Sequence, residues 1–222
     1  EELSEVRKHS VYKNVPIAQC IERTGHKPIG TRWVDINKGD DENPNYRSRI
    51  VAQEFNNNKR DDFFAATPPL EAIKMLLSCA VTEGIGYKAS KTTGMKLDSI
   101  DVRRAYYHAN APRAVYVTLP PGDEEAGMCW LIAKSHPGTR NAAQHWEAAY
   151  SELLKQNGFA QGKSTPCMFF HKEKRLRIVV HGDDFTSLGN SEDLDWFRKV
   201  IQKMYEVAFR GRLGPCPRDS KS

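Results

Sequence analysis

"RIVVHGDDFTSLG", residues 177–189, is the stretch on which the reading of this chain turns. Ile178, Val179 and Val180 make one apolar run. Phe185 to Leu188 make a second, and between them stand His181, Gly182 and the adjacent aspartates Asp183 and Asp184. Apolar runs around a Gly-Asp signal read as two strands and a tight reversal. Two neighbouring carboxylates repel. The segment is therefore either an ordinary turn whose charges face water, or a place where something positive is held. A second acid in a matching context favours the latter. Asp101 ends the short strand "MKLDSID" (95–101), just before the chain turns into "VRRAYYHA". If the two strands are neighbours, Asp101 and Asp183 lie side by side, and converging carboxylates form a hard oxygen site suited to Mg²⁺ or Mn²⁺. Asp98 is a rival ligand on the same strand, but at a period of two it points away from Asp101. His181 is either a packing histidine, the reading favoured here, or one that faces the acids.

Working outward, "TRWVDINKGDDENPNYRSRIVAQ" (31–53) reads as strand, polar turn, strand. Residues 56–69 form a polar connector. "LEAIKMLLSCAVTEG" (70–84) has helical apolar spacing, with Pro69 in the first turn and Gly84 as a cap. Strands are predicted at 114–122, 129–135, and in "PCMFFHK" and "LRIVVHG". Residues 139–159 form the strongest helix, closed by Gly158, and 191–205 form another with Ser191 as N-cap. Residues 1–28 show no clean period and read as a leader. No element is predicted for "RGRLGPCPRDSKS" (210–222). Helices packed on a mostly antiparallel sheet give an α+β class.

The 222 residues, 39% hydrophobic and 27% charged, are enough for a sizeable core in one domain or two joined subdomains. No apolar run approaches the ~18 residues of a membrane helix. The charged start "EELSEVRKHS" lacks the apolar stretch of a secretory signal, and the missing initiator Met is read as the mark of a fragment. Five scattered cysteines without a C-x-x-C pair argue against a disulfide framework or a zinc knuckle. A net charge of +5 is weak support for a polyanionic partner.

"LDSIDVRRAYYHA", "SHPGTRNAAQHWEAAYSELLKQNGF" and "RIVVHGDDFTSLG" resemble successive polymerase motifs of copia-type LTR-retrotransposon reverse transcriptases. "TRWVDINKGDDENPNYRSRIVAQEF" resembles that family's fingers hairpin, and "FFAATPPLEAIKMLLSCA" the helix segment that follows it. The motifs occur in order over roughly residues 30–215. The resemblance implies a right-hand polymerase domain over 29–215, with fingers, an antiparallel palm sheet and helices on one face of it. Residues 1–28 are then a leader and 216–222 a truncated tail. It implies RNA-directed DNA synthesis by two-metal nucleotidyl transfer. Asp101, Asp183 and Asp184 are the implied catalytic acids and ligands of Mg²⁺ or Mn²⁺. Tyr106 is the implied steric gate against a ribose 2′-hydroxyl. Arg47 and Arg49 are the implied triphosphate contacts, and Gly138 and Arg140 form the turn beside the incoming base pair. The implied partners are an RNA or DNA template with primer, deoxynucleoside triphosphates, and the thumb, RNase H and integrase domains of a polyprotein, with no membrane. The implied setting is a cytoplasmic retroelement particle or the nucleus. The chain departs from the family at His181-Gly182, where an aromatic and a hydrophobic residue are usual; glycine is expected to loosen the hairpin. It departs again at His136-Pro137, where proline removes a backbone donor. A decayed copy that keeps the fold and binds nucleic acid without polymerising is the alternative. A palm-fold cyclase is a third reading, against which Arg47 and Arg49 argue.

Overall fold

Alternating burial makes strands of the apolar runs. Along "KLDSIDV", Asp98, Ile100 and Val102 are buried while Leu97, Ser99 and Asp101 are only partly so, the pleat's period of two. The computed structural model describes residues 2–54, 68, 70–82 and 94–214. In chain order the elements are α1 (Glu2–Lys8), β1 (Tyr12–Pro16), α2 (Ile17–Thr24), β2 (Thr31–Asn37), β3 (Tyr46–Ala52), α3 (Leu70–Val81), β4 (Lys96–Val102), a 3-10 turn (Ala105–His108), β5 (Asn110–Thr118), β6 (Met128–Lys134), α4 (Ala142–Gln156), β7 (Phe159–Gln161), β8 (Met168–His171), β9 (Leu176–His181), β10 (Asp184–Gly189), α5 (Ser191–Met204) and β11 (Val207–Leu213). The connector 56–69, apart from residue 68, lies outside the described residues, as do the Gly84 cap and the tail 216–222. Two units interleave along the chain: 1–64 with 106–149, and 65–105 with 150–222.

In the first unit, an antiparallel sheet of order β1-β6-β5 and the two-stranded β2-β3 hairpin contribute to one core. Ile50 and Ala52 of β3 are buried with Val115 and Val117 of β5 and Trp130 and Ile132 of β6. Tyr12 stacks on Trp130 with ring centroids 3.8 Å apart. The stretch 1–28 is therefore more than a leader. α1, β1 and α2 are each too short to show a period in sequence, yet β1 pairs with β6 along its full length.

The second unit is one six-stranded antiparallel sheet of order β11-β4-β10-β9-β8-β7. The α+β class stands, but the helices expected on one face divide between two. Ala72 and Leu76 of α3 pack with Val179 and Leu188 on one face. On the other, Phe185 meets the ring of Tyr150 at 5.6 Å and that of Phe197 on α5 at 6.4 Å. Strand alternation gives β10 apolar residues on both faces, so both require cover. The tail also holds an element that its composition hid. Val207–Leu213 pairs with β4, although its Arg-Gly-Arg run carries no apolar alternation. Ser191 opens α5 as its first helical residue; the cap position is Asn190.

Asp98 lies under α5, only 1% exposed. It accepts hydrogen bonds from Arg198 Nε at 2.6 Å and Arg212 Nη2 at 3.0 Å, tying α5 and β11 to β4. Removing one partner of a buried ion pair strands the other charges. Asp98→Ala is expected to lower unfolding free energy by roughly 3 kcal/mol, read from the urea midpoint. A loss below about 0.5 kcal/mol, the range of an ordinary surface change, contradicts the network's role.

Candidate active site

The acids meet through strand register. β10 pairs antiparallel with β4 so that Asp184 stands directly opposite Asp101. The row continues to His181 on β9 and to Ala208 on β11. Directly opposed residues share a face, so Asp101, Asp184 and His181 line one side of the sheet end. Asp183 occupies the reversal, and its carbonyl accepts the Val102 N–H at 2.9 Å. The direct partner of Asp101 is thus Asp184 and not Asp183, because residues 182 and 183 are consumed by the turn. Gly182 has φ +61° and Asp183 a negative φ, the pattern of a II′ hairpin turn with glycine at its first central position. Gly182 therefore suits the tight reversal and does not loosen it. His181 is exposed in the acid row, the opposite of the packing role favoured from sequence.

The crowding has an electrostatic signature. Burial, then the neighbouring carboxylates Asp183 and Asp101, push the Asp184 carboxyl above its ordinary range, while Arg210 and His181 pull it back. Arg210 Nη2 donates to Asp101 Oδ2 at 2.6 Å. Three carboxylates at one sheet end are a donor set that fits a hard divalent cation. Asp98 is no part of it: on the opposite face its oxygens are already taken by two arginines.

In the first unit, β2 and β3 pair from Thr31↔Ala52 to Asn37↔Tyr46. Arg47 stands opposite Ile36, Arg49 opposite Val34, and Arg32 opposite Val51, so three arginines share one face. None of the three has an ion-pair partner among the described residues. Arg32 was missed in sequence because its facing follows from register alone. The hairpin's base is anchored. Gln53 N–H donates to Gly30 O at 2.8 Å, Thr31 N–H to Thr118 Oγ1 at 3.0 Å, and Ala52 N–H to Pro137 O at 2.9 Å.

That last bond accounts for the unusual His136-Pro137. The loop needs the proline's carbonyl and not the N–H it lacks. Gly138, at φ +83°, lies so close to β3 that a Cβ there would sit 2.1 Å from Ala52 O, so no other residue fits. Arg140 N–H donates to Glu54 Oε2 at 2.9 Å, and Arg113 also pairs with this carboxylate, which is 8% exposed. His136 Nδ1 contacts Pro137 O, and burial holds the ring's pKa down to about 4, so it is neutral at pH 7. In the 3-10 turn the adjacent tyrosines separate. Tyr107 is buried and donates to Glu2 Oε1 at 3.0 Å, whereas Tyr106 is only half-buried.

An α+β chain with an antiparallel sheet, an acid row at its end and an arginine-bearing hairpin has the palm and fingers of a nucleic-acid polymerase. The chain belongs to the reverse transcriptase (RNA-dependent DNA polymerase) family, which it matches over residues 18–214. It is 24% identical over 205 residues to the retrovirus-related Pol polyprotein from transposon TNT 1-94 of Nicotiana tabacum, a match covering 87% of this chain and 14% of that one. It is 27% identical over 115 residues to the Transposon Ty1-LR3 Gag-Pol polyprotein of Saccharomyces cerevisiae, covering 50% of this chain and 6% of that one. Among solved structures, the foamy viral protease-reverse transcriptase dRH in complex with ds DNA aligns over 96% of this chain and 30% of its own. The identity there is 13% and the TM-score 0.47. The copia-type retrotransposon resemblance stands with these matches, and the chain spans a small part of the polyproteins it resembles.

Two outcomes follow from the electrostatics. A carboxyl with a raised folded pKa binds its proton more tightly when folded. Stability is therefore lost as pH rises from the ordinary value, about 3.9, through the raised one. In chelator at pH 7, Asp184→Asn is expected to melt above wild type, the difference closing below about pH 4. Equal melting at pH 7 contradicts the crowding. For Glu54, burial works to raise the pKa, but the hydrogen bonds from Arg113 and Arg140 and their charges outweigh it, and the net shift is downward. Its contribution is present above the unfolded value near 4.3 and is lost as pH falls through the lowered one. Glu54→Gln is expected to cost roughly 1–2 kcal/mol at pH 7 by chemical denaturation, with the gap to wild type narrowing in acid.

Proposed function

We propose that this chain performs RNA-directed DNA synthesis by two-metal nucleotidyl transfer at Asp101, Asp183 and Asp184. The observation that carries the reading is the direct pairing of Asp184 with Asp101, with Asp183 in the adjoining turn. The donor set suits Mg²⁺ or Mn²⁺. Such ions, when bound, would lower the cost of deprotonating a primer 3′-hydroxyl and of releasing pyrophosphate. The carboxylates hold and orient, and their crowding favours a bound cation. Arg47 and Arg49, with Arg32 on the same face, offer planar guanidinium forks to triphosphate or template phosphate oxygens. Gly138 and Arg140 lie on a loop braced by Ala52 and Glu54, which suits a surface that positions a base pair. Tyr106, less buried than Tyr107, is the gate candidate of the two. Template, primer and deoxynucleoside triphosphates are the partners this reading requires, alongside the other domains of a Pol polyprotein.

A second reading keeps the fold and nucleic-acid binding without polymerisation. The Arg210–Asp101 ion pair favours it, since one proposed ligand already has a cation.

Single-turnover addition of one deoxynucleotide to a primer–template, with Mg²⁺ or Mn²⁺, separates the two. Wild type is expected to add the nucleotide. Asp101→Asn and Asp184→Asn are expected to slow addition about a thousandfold, since several kcal/mol of metal stabilisation is removed at 1.4 kcal/mol per decade. Tyr106→Ala is expected to admit ribonucleotides. A chain that binds primer–template but adds nothing with either metal selects the second reading. Addition that survives both aspartate changes overturns the proposed site.

A further inference from the structure

We propose that Arg210 is the built-in counter-ion of the acid cluster, holding Asp101 while no divalent ion is bound and giving way when one arrives, so that it sets the site's metal affinity. The inference rests on the metal-site reading above and concerns how that site is regulated.

Arg210 reaches Asp101 by alternation from Ala208, the residue paired with Asp101, and a register fault follows at this point. β11 pairs Phe209 with Ile100 and Gly211 with Ser99, which leaves Arg210 as the extra residue of a β-bulge. A bulge shifts the alternation of the residues that follow it. Here Phe209 stays on the face under α5, with the Arg198 guanidinium 4.3 Å from its ring centroid. Arg212 is held on that same face by Asp98 and by Asp195 at 2.8 Å. Both flanks of the bulge thus contact arginine or acid groups on the α5 side of the sheet. Arg210 takes the acid face by alternation from Phe209, and the bulge returns Arg212 to the face under α5. In regular alternation between Phe209 and Arg212, these two residues could not share a face, so the bulge is required for both contacts. Gly211, at φ +139°, supplies the backbone freedom the fault needs.

The pair is built to yield. The Arg210 side chain is 62% exposed, while Asp101 is 16% exposed. An exposed guanidinium in water gains little from one carboxylate and can swing out at small cost. Yet among the described residues it is the only lysine or arginine in ion-pair contact with the three acids, and its charge also bears on Asp184. A divalent ion approaching Asp101 competes with Arg210 for Oδ2 and works against the same positive charge. A plain surface salt bridge would have neither consequence.

Mn²⁺ binding, followed by the EPR signal of the free ion and by calorimetry without nucleotide or nucleic acid, tests this on the whole chain. Arg210→Gln removes the charge and is expected to bind Mn²⁺ roughly three- to tenfold more tightly than wild type at low ionic strength. The gain should shrink at 0.5 M salt, where exposed charges are screened. Arg210→Lys, which keeps the charge without the planar fork, is expected to fall between. Asp101→Asn separates the two levels of the proposal. If wild type binds Mn²⁺ in an Asp101-dependent way and Arg210→Gln binds no better, the counter-ion role is overturned while the metal site stands. Weaker binding by Arg210→Gln also overturns it, by showing that Arg210 organises the acids instead of competing. If neither wild type nor Arg210→Gln shows Asp101-dependent binding, the metal site falls and this inference with it.

Discussion

Like charge held at the end of a sheet is the constraint on which the second unit depends. Asp101 and Asp184 are directly paired residues of neighbouring antiparallel strands, and Asp183 follows in the turn between β9 and β10. Directly opposed like charges destabilise a sheet. This sheet tolerates them because other contacts dominate. Ile100, Val102 and Phe185, adjacent to the acids in sequence, and Leu188 further along β10 are all buried. The apolar residues hold the register, and the register holds the carboxylates together. A one-residue slip would send Asp184 to the other face, so burial of Phe185 is also what fixes the geometry of the acids.

The two faces of β4 manage charge in opposite ways. Asp101, near solvent, keeps an exposed partner in Arg210. Asp98, three residues earlier, has lost its water and is held by Arg198 and Arg212, whose side chains are only 25% and 19% exposed. One pair is suited to exchange its cation; the other is suited to clamp α5 and β11 onto the strand. Burial is what separates the roles, since a desolvated carboxylate cannot part with its countercharge.

In the first unit, close backbone approach has a comparable part. Gly138 lets the loop 136–140 lie against Ala52, and Pro137 O takes the Ala52 N–H. The hairpin bearing Arg32, Arg47 and Arg49 is thereby rooted at the same place as the loop bearing Arg140. Glu54 adds a charged brace to that junction. The residues given a role by family resemblance thus sit on backbone fixed by neighbours to which the resemblance gave no role.

The sequence by itself determined the α+β class, the β2–β3 hairpin, the main helices and the family, because these rest on local apolar period, turn chemistry and ordered motifs. It also determined that Asp98 and Asp101 point to opposite faces, since that follows from a period of two. Tertiary structure alone decided that Asp184, not Asp183, opposes Asp101, because register depends on how many residues the turn consumes. It decided that His181 faces the acids, that helices cover both sheet faces, and that 2–24 and 207–213 are structured; short elements gain their stability from partners far along the chain. Arg210 shows the difference most plainly. In sequence it is one basic residue in a glycine-interrupted run. Only a long-range strand pairing, with Ala208 opposite Asp101, brings its charge to the acids.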